Sequence, residues 1–417
     1  MRLVRVGIAA FVVLAGAVAI VAVVERSWSA AQLRAAVVLS VTQETPVLAW
    51  AMRVITDEPL VDETVVGGSP STIVRPGEGD GPWPAIVFVN GATRDGRHHP
   101  KVQRLAHGLA RAGFLAVVPD LPGLRIGKIT PKTTAATVRV ARVTAERPDV
   151  QGGRVGFYGV SVGATLALLA AESPLLADRI TVVGGEAPWV DLKRIIRLAT
   201  TGRYDGERYE VDPFVALAIA RSLAAGLPVT DGSKLLAHLE AVADDHPDPL
   251  AGLGARAHGG GAQALVDLLQ NRDPEQFERL YLRLPASVRA GVGALSPIRR
   301  ARWLRAPVEL ASAPHDKYFP PAEARALARA APGVRLTVTS TLDHAVPRPS
   351  VADITDLIGF NSFVVRYLRL ARGIQSSGPA WIRPGTNGSP RCGIWVEASL
   401  AVSPSLEGRW RRPLTRR

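Results

Sequence analysis

Arg154 to Ala171 reads RVGFYGVSVGATLALLAA: a short apolar run, the pentad Gly159-Val160-Ser161-Val162-Gly163, then an alanine- and leucine-rich stretch. Glycine two positions either side of a serine answers a geometric need. A serine on a strained strand-to-helix turn draws its flanks so close to neighbouring backbone that a Cβ at either glycine would clash. Such a turn pushes the Ser161 hydroxyl clear of a sheet. It also aims the N-terminus of the following helix at negative charge developing there. In a chain with 39 glycines the pentad alone is weak. Its weight comes from the strand before it, the helix after it, and partners downstream in the right order.

The chain has 417 residues, enough for one large α/β domain with additions or for two domains. Its single cysteine, Cys392, excludes an internal disulfide framework and a cysteine-rich zinc site, but does not decide the compartment. The formal net charge is +13. The last 45 residues contribute +5 of it, with seven arginines against Glu397 and Glu407. The remaining charge is spread out, has few aromatics among it and carries no nucleic-acid motif, so no nucleic-acid partner is expected. Attraction to anionic lipid accounts for the balance better.

Val6–Val24 is an uncharged run of 19 residues preceded by Arg2 and Arg5. That length spans a bilayer as a helix. The flanking arginines place the N-terminus in the cytoplasm and the remainder outside, giving an anchor over 1–26 and an extracytoplasmic domain. A cleaved signal peptide is the rival reading, with a small-residue site at Ser27-Trp28-Ser29. Residues 27–60 follow as juxtamembrane helices. Within them, Gln32–Thr56 has helical periodicity in two pieces broken at Pro46, through Leu33, Val37, Val38 and Val41, then Val47, Leu48, Met52 and Ile55. Packing against the domain is expected of them over lying on a membrane surface.

From Glu63 the period becomes that of strands. ETVV and STIVRP form a hairpin around Gly67-Gly68. Ala85–Asn90, Phe114–Asp120, the elbow strand, Ile180–Gly184, Val308–Ala311 and Leu336–Val338 are short apolar runs, as strands buried on both faces are. Helical stretches at His99–Ala112 and Thr133–Glu146 alternate with them. This predicts a doubly wound, mostly parallel sheet over residues 61–372, closed by a helix at Val351–Arg372. Between Asp191 and Arg300 the alternation stops. The stretch is helical, with breaks at Pro213, Pro228, Asp244–Pro249, Gly259–Gly261 and Pro274. It is expected to be an insertion above the C-terminal edge of the sheet, either a lid or a decoration without gating. Residues 373–417 lack periodicity and are rich in Gly, Pro and Ser, which predicts a disordered basic tail.

A serine hydroxyl is a poor nucleophile and needs a base, which in turn needs an orienting carboxylate. After an elbow of this kind the chain order is serine, acid, histidine. Strand Val308–Ala311 runs out into SAPHDKYFP, which leaves Asp316 in a loop at the C-terminal edge. His344, in STLDHAVP, is the only histidine after it and also follows a strand. Ser161, Asp316 and His344 are therefore the candidate catalytic residues. His315 is the rival base and breaks that order. Glu186 and Asp191, just after Ile180–Gly184, are the rival acids, and Asp343 reads as a turn residue. Two backbone N–H groups are needed for an oxyanion: Val162 after the nucleophile, and Ala92, with Thr93 as fallback, from the loop Asn90-Gly91-Ala92-Thr93. Gly91 lets that loop bend back over the site.

Two motifs mislead. His258-Gly259-Gly260-Gly261 matches a lipase-type HGGG string, but such a string belongs upstream of the nucleophile, and a flexible lid loop is expected there. His98-His99 lacks the carboxylate or cysteine cluster of a metal site. No metal and no cofactor are expected.

Asn90–Thr93, Gly113–Leu124 (GFLAVVPDLPGL), GVSVG, HDKYFP and DHAVP together resemble the α/β-hydrolase superfamily, most of all its dienelactone-hydrolase-like and peptidase-like serine esterases, over residues 61–372. The resemblance implies hydrolysis through an acyl-enzyme. It departs from many relatives in having Asn90 where they have histidine. The serine also sets the chain apart from the cysteine-nucleophile dienelactone hydrolases. The expected activity is that of a membrane-anchored serine hydrolase on a small-molecule carboxylic ester or lipid. The alternatives are a silent hydrolase-fold protein that binds lipid or a partner, and a peptidase or acyltransferase on the same residues.

Overall fold

A computed structural model describes residues 26–42, 54, 56–347 and 353–373. The apolar run Val6–Val24, Pro46 and residues 374–417 lie outside them. Among the described residues no helix is long and apolar enough to cross a membrane.

Eight strands form the central sheet: β1 (Leu60–Val66), β2 (Ser69–Arg75), β3 (Trp83–Val89), β4 (Leu115–Pro119), β5 (Val150–Val160), β6 (Ile180–Glu186), β7 (Val308–Ser312) and β8 (Val334–Val338). Their order is β1-β2-β4-β3-β5-β6-β7-β8. β1 and β2 make the antiparallel hairpin, β2 joins β4 antiparallel, and every later pairing is parallel. The apolar runs divide by period two between the faces. Val87, Phe157 and Val183 enter one core, while Phe88, Tyr158 and Val182 enter the other. This is the mostly parallel sheet that the strand pattern predicts, in the α/β-hydrolase-like arrangement that the resemblance implies.

The first core lies under α3 (Pro131–Ala145), α4 (Val162–Ala171) and α11 (Pro321–Ala330). All ten residues of α4 are buried, which explains why it carries only alanine, leucine and other small or apolar residues. The second core lies under α1 (Arg26–Thr42), α2 (Pro100–Arg111) and α12 (Ile354–Ala371). Ala31, Ala35, Val37 and Val38 of α1 are buried there. Gly108 lets α2 come close, since a Cβ on it would stand 3.4 Å from the Val38 Cα. The Arg369 guanidinium stacks 4.2 Å above the Trp28 ring, a cation–π contact between α12 and α1. Leu33, assigned to the packed stripe by periodicity, points to solvent instead, at 59% exposure.

Between β6 and β7 the chain forms six helices: α5 (Leu192–Thr201), α6 (Pro213–Ala224), α7 (Val229–Ala241), α8 (Gly260–Leu269), α9 (Phe277–Arg283) and α10 (Ala286–Ala294). Pro213 and Pro228 do not interrupt helices but begin them. Pro213 is the first residue of α6, with the Asp212 side chain accepting from the Phe214 N–H, and Pro228 caps α7. The glycines of His258–Gly261 correct the expectation of a flexible loop. Gly260 and Gly261 open α8, and the Gly261 N–H donates to Asp231 Oδ2 at 3.1 Å, so a carboxylate holds the turn. Glu323 of α11 fastens the entry to the insertion. Its buried carboxylate accepts from the backbone N–H groups of Val190 and Asp191, both at 2.8 Å, and from Tyr204.

Glu172, just after α4, is 2% exposed, and neither of its oxygens has a hydrogen-bond partner. Burial pushes its pKa from 4.5 up to about 8, against a smaller opposing pull from Arg300. Between those two values the folded state holds a proton that the unfolded chain releases, so stability falls as pH rises through that window. Glu172→Gln is expected to remove this slope. The variant should match wild type near pH 4 and melt several degrees above it beyond pH 8, as thermal melts across that range would read.

Candidate active site

The elbow forms because three backbones meet there. A Cβ on Gly163 would stand 2.1 Å from the Val89 oxygen and 2.5 Å from the Asn90 oxygen; one on Gly159 would stand 2.4 Å from the Ala164 Cα. Only glycine fits either position. Between them Ser161 adopts φ 55° and ψ −125°, a region costly to any L-residue. Its own N–H donates to the Glu186 carbonyl at 2.8 Å, which fastens the turn to the end of β6. Val162 is the first residue of α4, so its N–H has no intrahelical acceptor and lies at the positive end of the helix.

The loop after β3 runs over this turn. A Cβ on Gly91 would lie 3.6 Å from the Ser161 Cβ, an ordinary contact distance. Asn90 is buried and donates from Nδ2 to the Gly91 carbonyl at 2.7 Å. Its Oδ1 has no partner. Ala92 and Thr93 follow and line the same cavity as Ser161 and Val162.

Asp316 is fully buried in the loop after β7. Its Oδ1 accepts from the N–H groups of Tyr318 at 2.7 Å and Phe319 at 3.0 Å. Those two bonds leave one direction for the remaining acceptor, and His344 fills it. His344 Nδ1 lies 2.7 Å from Oδ2 and 2.9 Å from Oδ1. His344 occupies a tight turn between two-residue strands at Leu342–Asp343 and Val346–Pro347, with φ 55°. The Tyr318 ring covers its imidazole at 4.3 Å between centroids, and Phe319 meets it edge-on at 6.0 Å.

Ser161 and His344 both line a cavity of about 1030 Å³, walled on one side by the insertion. No hydrogen bond joins the two side chains among the described residues. The rival acids are engaged elsewhere. Asp191 caps α5 through the Lys193 N–H at 3.0 Å. Glu186 accepts a hydrogen bond from the Tyr158 hydroxyl, and burial pushes its pKa up to about 7 while that bond opposes the rise. His315 is exposed. His99 caps α2, accepting from the Lys101 N–H at 3.3 Å. Among the described residues no group of three metal-ligating side chains occurs.

Two contributors are not evident from residue order. Tyr318 shares the loop of Asp316, and an aromatic two residues after the acid is the signal that could have drawn attention to it. Tyr209 donates from its hydroxyl to the Asp316 carbonyl from the insertion, 107 positions away, and no local pattern announces such a bond.

The model of the family described as X-Pro dipeptidyl-peptidase (S15 family) matches residues 70–320. No curated protein matches the chain. Similar solved structures include a Pyrococcus furiosus esterase, with 13% identity, 76% of this chain and 92% of that one covered, and TM-score 0.40. Another is a dienelactone hydrolase from Anabaena variabilis, with 14% identity, coverage of 75% and 98%, and TM-score 0.39. A Mycobacterium tuberculosis puromycin-hydrolyzing peptidase shares 15% identity at TM-score 0.41, over 77% of this chain and 40% of that one.

Proposed function

The chain belongs to the X-Pro dipeptidyl-peptidase (S15) family, whose members are hydrolases of the peptidase–esterase type, and from this we propose that it is a serine hydrolase cleaving carboxylic esters through an acyl-enzyme. The observation that carries the proposal is the buried Asp316 bonded to His344, which lines the same cavity as the strained Ser161. The Ser161 Oγ attacks the acyl carbon and His344 Nε2 takes its proton. Asp316, bonded to Nδ1, keeps the imidazole in the tautomer whose Nε2 is free and stabilises the imidazolium. The oxyanion is held by the N–H groups of Val162 and Ala92. His344 then returns the proton to the departing alcohol, and water repeats the sequence on the acyl-enzyme. The contact between serine and imidazole is often long without substrate and closes on binding.

Peptide-bond cleavage is the second reading, favoured by the family match. Removing a dipeptide requires a group that recognises a free amino terminus. Of the cavity carboxylates, Asp212 caps α6, Asp244 pairs with Arg94 and Arg221, and Glu186 holds Tyr158, whereas Asp95 and Asp245 are exposed. The test is labelling by a fluorophosphonate, expected in wild type and absent in Ser161→Ala, with parallel turnover of p-nitrophenyl esters and an X-Pro p-nitroanilide. A folded wild type that resists the label would defeat the proposal. Anilide turnover without ester turnover would replace it with the peptidase reading.

A further inference from the structure

The cavity has a second wall, opposite the insertion. Leu39 of α1, Leu105 and Leu109 of α2, and Phe360, Val364 and Leu368 of α12 line the same space as Ser161 and His344. We infer that the part of the cavity bounded by these three helices receives the alkyl chain of a long-chain acyl group, with its carboxyl end at Ser161. This rests on the serine-nucleophile reading and names its substrate class.

These six side chains are hydrocarbon, and α2 adds the charged Lys101 and Arg104 to the same cavity. Two of the uncharged polar groups on this side are spent within the protein. The Thr42 hydroxyl donates to its own helix, at 2.8 Å to the Val38 carbonyl, and Tyr158 is bonded to Glu186. The Tyr367 hydroxyl is left without a partner. A lone hydroxyl does not hold ordered water, which needs two to four partners. A peptide laid among these six side chains would bury amide groups against hydrocarbon, and those would lose their hydration without compensation. An alkyl chain has no such groups. The volume of about 1030 Å³ lies at the upper end of small-molecule sites, so a short acyl ester would leave most of it empty.

The test uses butyl, octyl and dodecyl fluorophosphonates on the full chain, each below its micelle concentration. Oγ of Ser161 bonds phosphorus, fluoride leaves, and the hydroxyl proton passes to the imidazole. The rate of labelling is expected to rise by up to about fourfold per methylene until the space is filled, so that dodecyl outruns butyl by on the order of a hundredfold. Leu39→Trp and Leu105→Trp fill the space from α1 and from α2, at half-buried positions that tolerate a larger ring. Each is expected to slow dodecyl labelling by about tenfold or more and to lower the dodecyl-to-butyl rate ratio by about as much. A wild-type rate that is flat or falls with length overturns the inference and leaves the nucleophile reading standing. So does a loss in both tryptophan variants that is equal at every length. Absence of labelling at every length overturns both.

Discussion

Asp316→Asn is expected to lower ester turnover by on the order of 10³- to 10⁴-fold while the protein remains folded. The reason lies in which oxygen the backbone holds. Oδ1 accepts from the N–H groups of Tyr318 and Phe319, so the asparagine must keep its carbonyl oxygen there. Its amide NH₂ then occupies the Oδ2 position, 2.7 Å from His344 Nδ1. A donor at that place demands an acceptor on Nδ1, which moves the imidazole proton to Nε2. The nitrogen that should take the serine proton is then already protonated. Asp316 is fully buried and does not line the cavity, so substrate binding should change little. The loss should fall on kcat with KM nearly constant, which steady-state kinetics on a p-nitrophenyl ester would show. A melt close to wild type would exclude unfolding, since the volume is conserved. A loss of less than about tenfold would mean that another carboxylate orients the base. Glu186, at the end of β6, would be the next to test.

Much of this arrangement is legible in the sequence because parallel strands buried on both faces must be apolar throughout. Polar–apolar alternation is not needed to find them: Ile86 and Val87 face opposite cores, and both cores are apolar. The same logic puts chemistry at strand ends, since polar groups have nowhere else to go. Hence Asp316 and His344 fall in the loops that follow two strands at the same edge. The steric need for Gly159 and Gly163 is also readable, as it depends on the turn alone. What is not legible depends on partners remote in the chain. The Gly260-Gly261 pair reads locally as a flexible loop, yet Asp231, thirty positions earlier, turns it into a helix start. Leu33 fits a helical stripe, but which side of α1 is covered is decided by α2 and α12. Asp212-Pro213 shows the reverse error. Its proline looks like a break, although an aspartate followed by proline is itself a helix start.

The insertion should depend on one buried cation more than on any other polar group. Arg221→Met is expected to destabilise the protein by about 3–5 kcal/mol. Arg221 is fully buried in α6, and its guanidinium donates to three carbonyls and a carboxylate. Nε reaches the Leu239 oxygen at 2.9 Å; Nη1 reaches the Ile126 oxygen and Asp244 Oδ1, both at 2.7 Å; Nη2 reaches the Val242 oxygen at 2.7 Å. Ile126 belongs to the segment before α3, whereas Leu239 and Val242 end α7, so one side chain joins the insertion to the sheet domain. Methionine fills comparable space but strands three acceptors. Burial would raise the Asp244 pKa, but hydrogen bonds from Arg94 and Arg221 outweigh it and hold the carboxylate below its ordinary value. Arg94 makes the contrast. It pairs with the same carboxylate at 2.7 Å, yet its side chain is 53% exposed, and Arg94→Met should cost no more than about 1 kcal/mol. Arg221→Lys should fall between them, because one ammonium cannot replace a planar fork that reaches four acceptors. Urea midpoints for the three variants test this ranking, and equal shifts for Arg94→Met and Arg221→Met would refute it. Because Arg94 and Asp244 both line the cavity beside Ser161, Arg221→Met should also loosen the substrate's surroundings, raising KM for the ester before the protein unfolds.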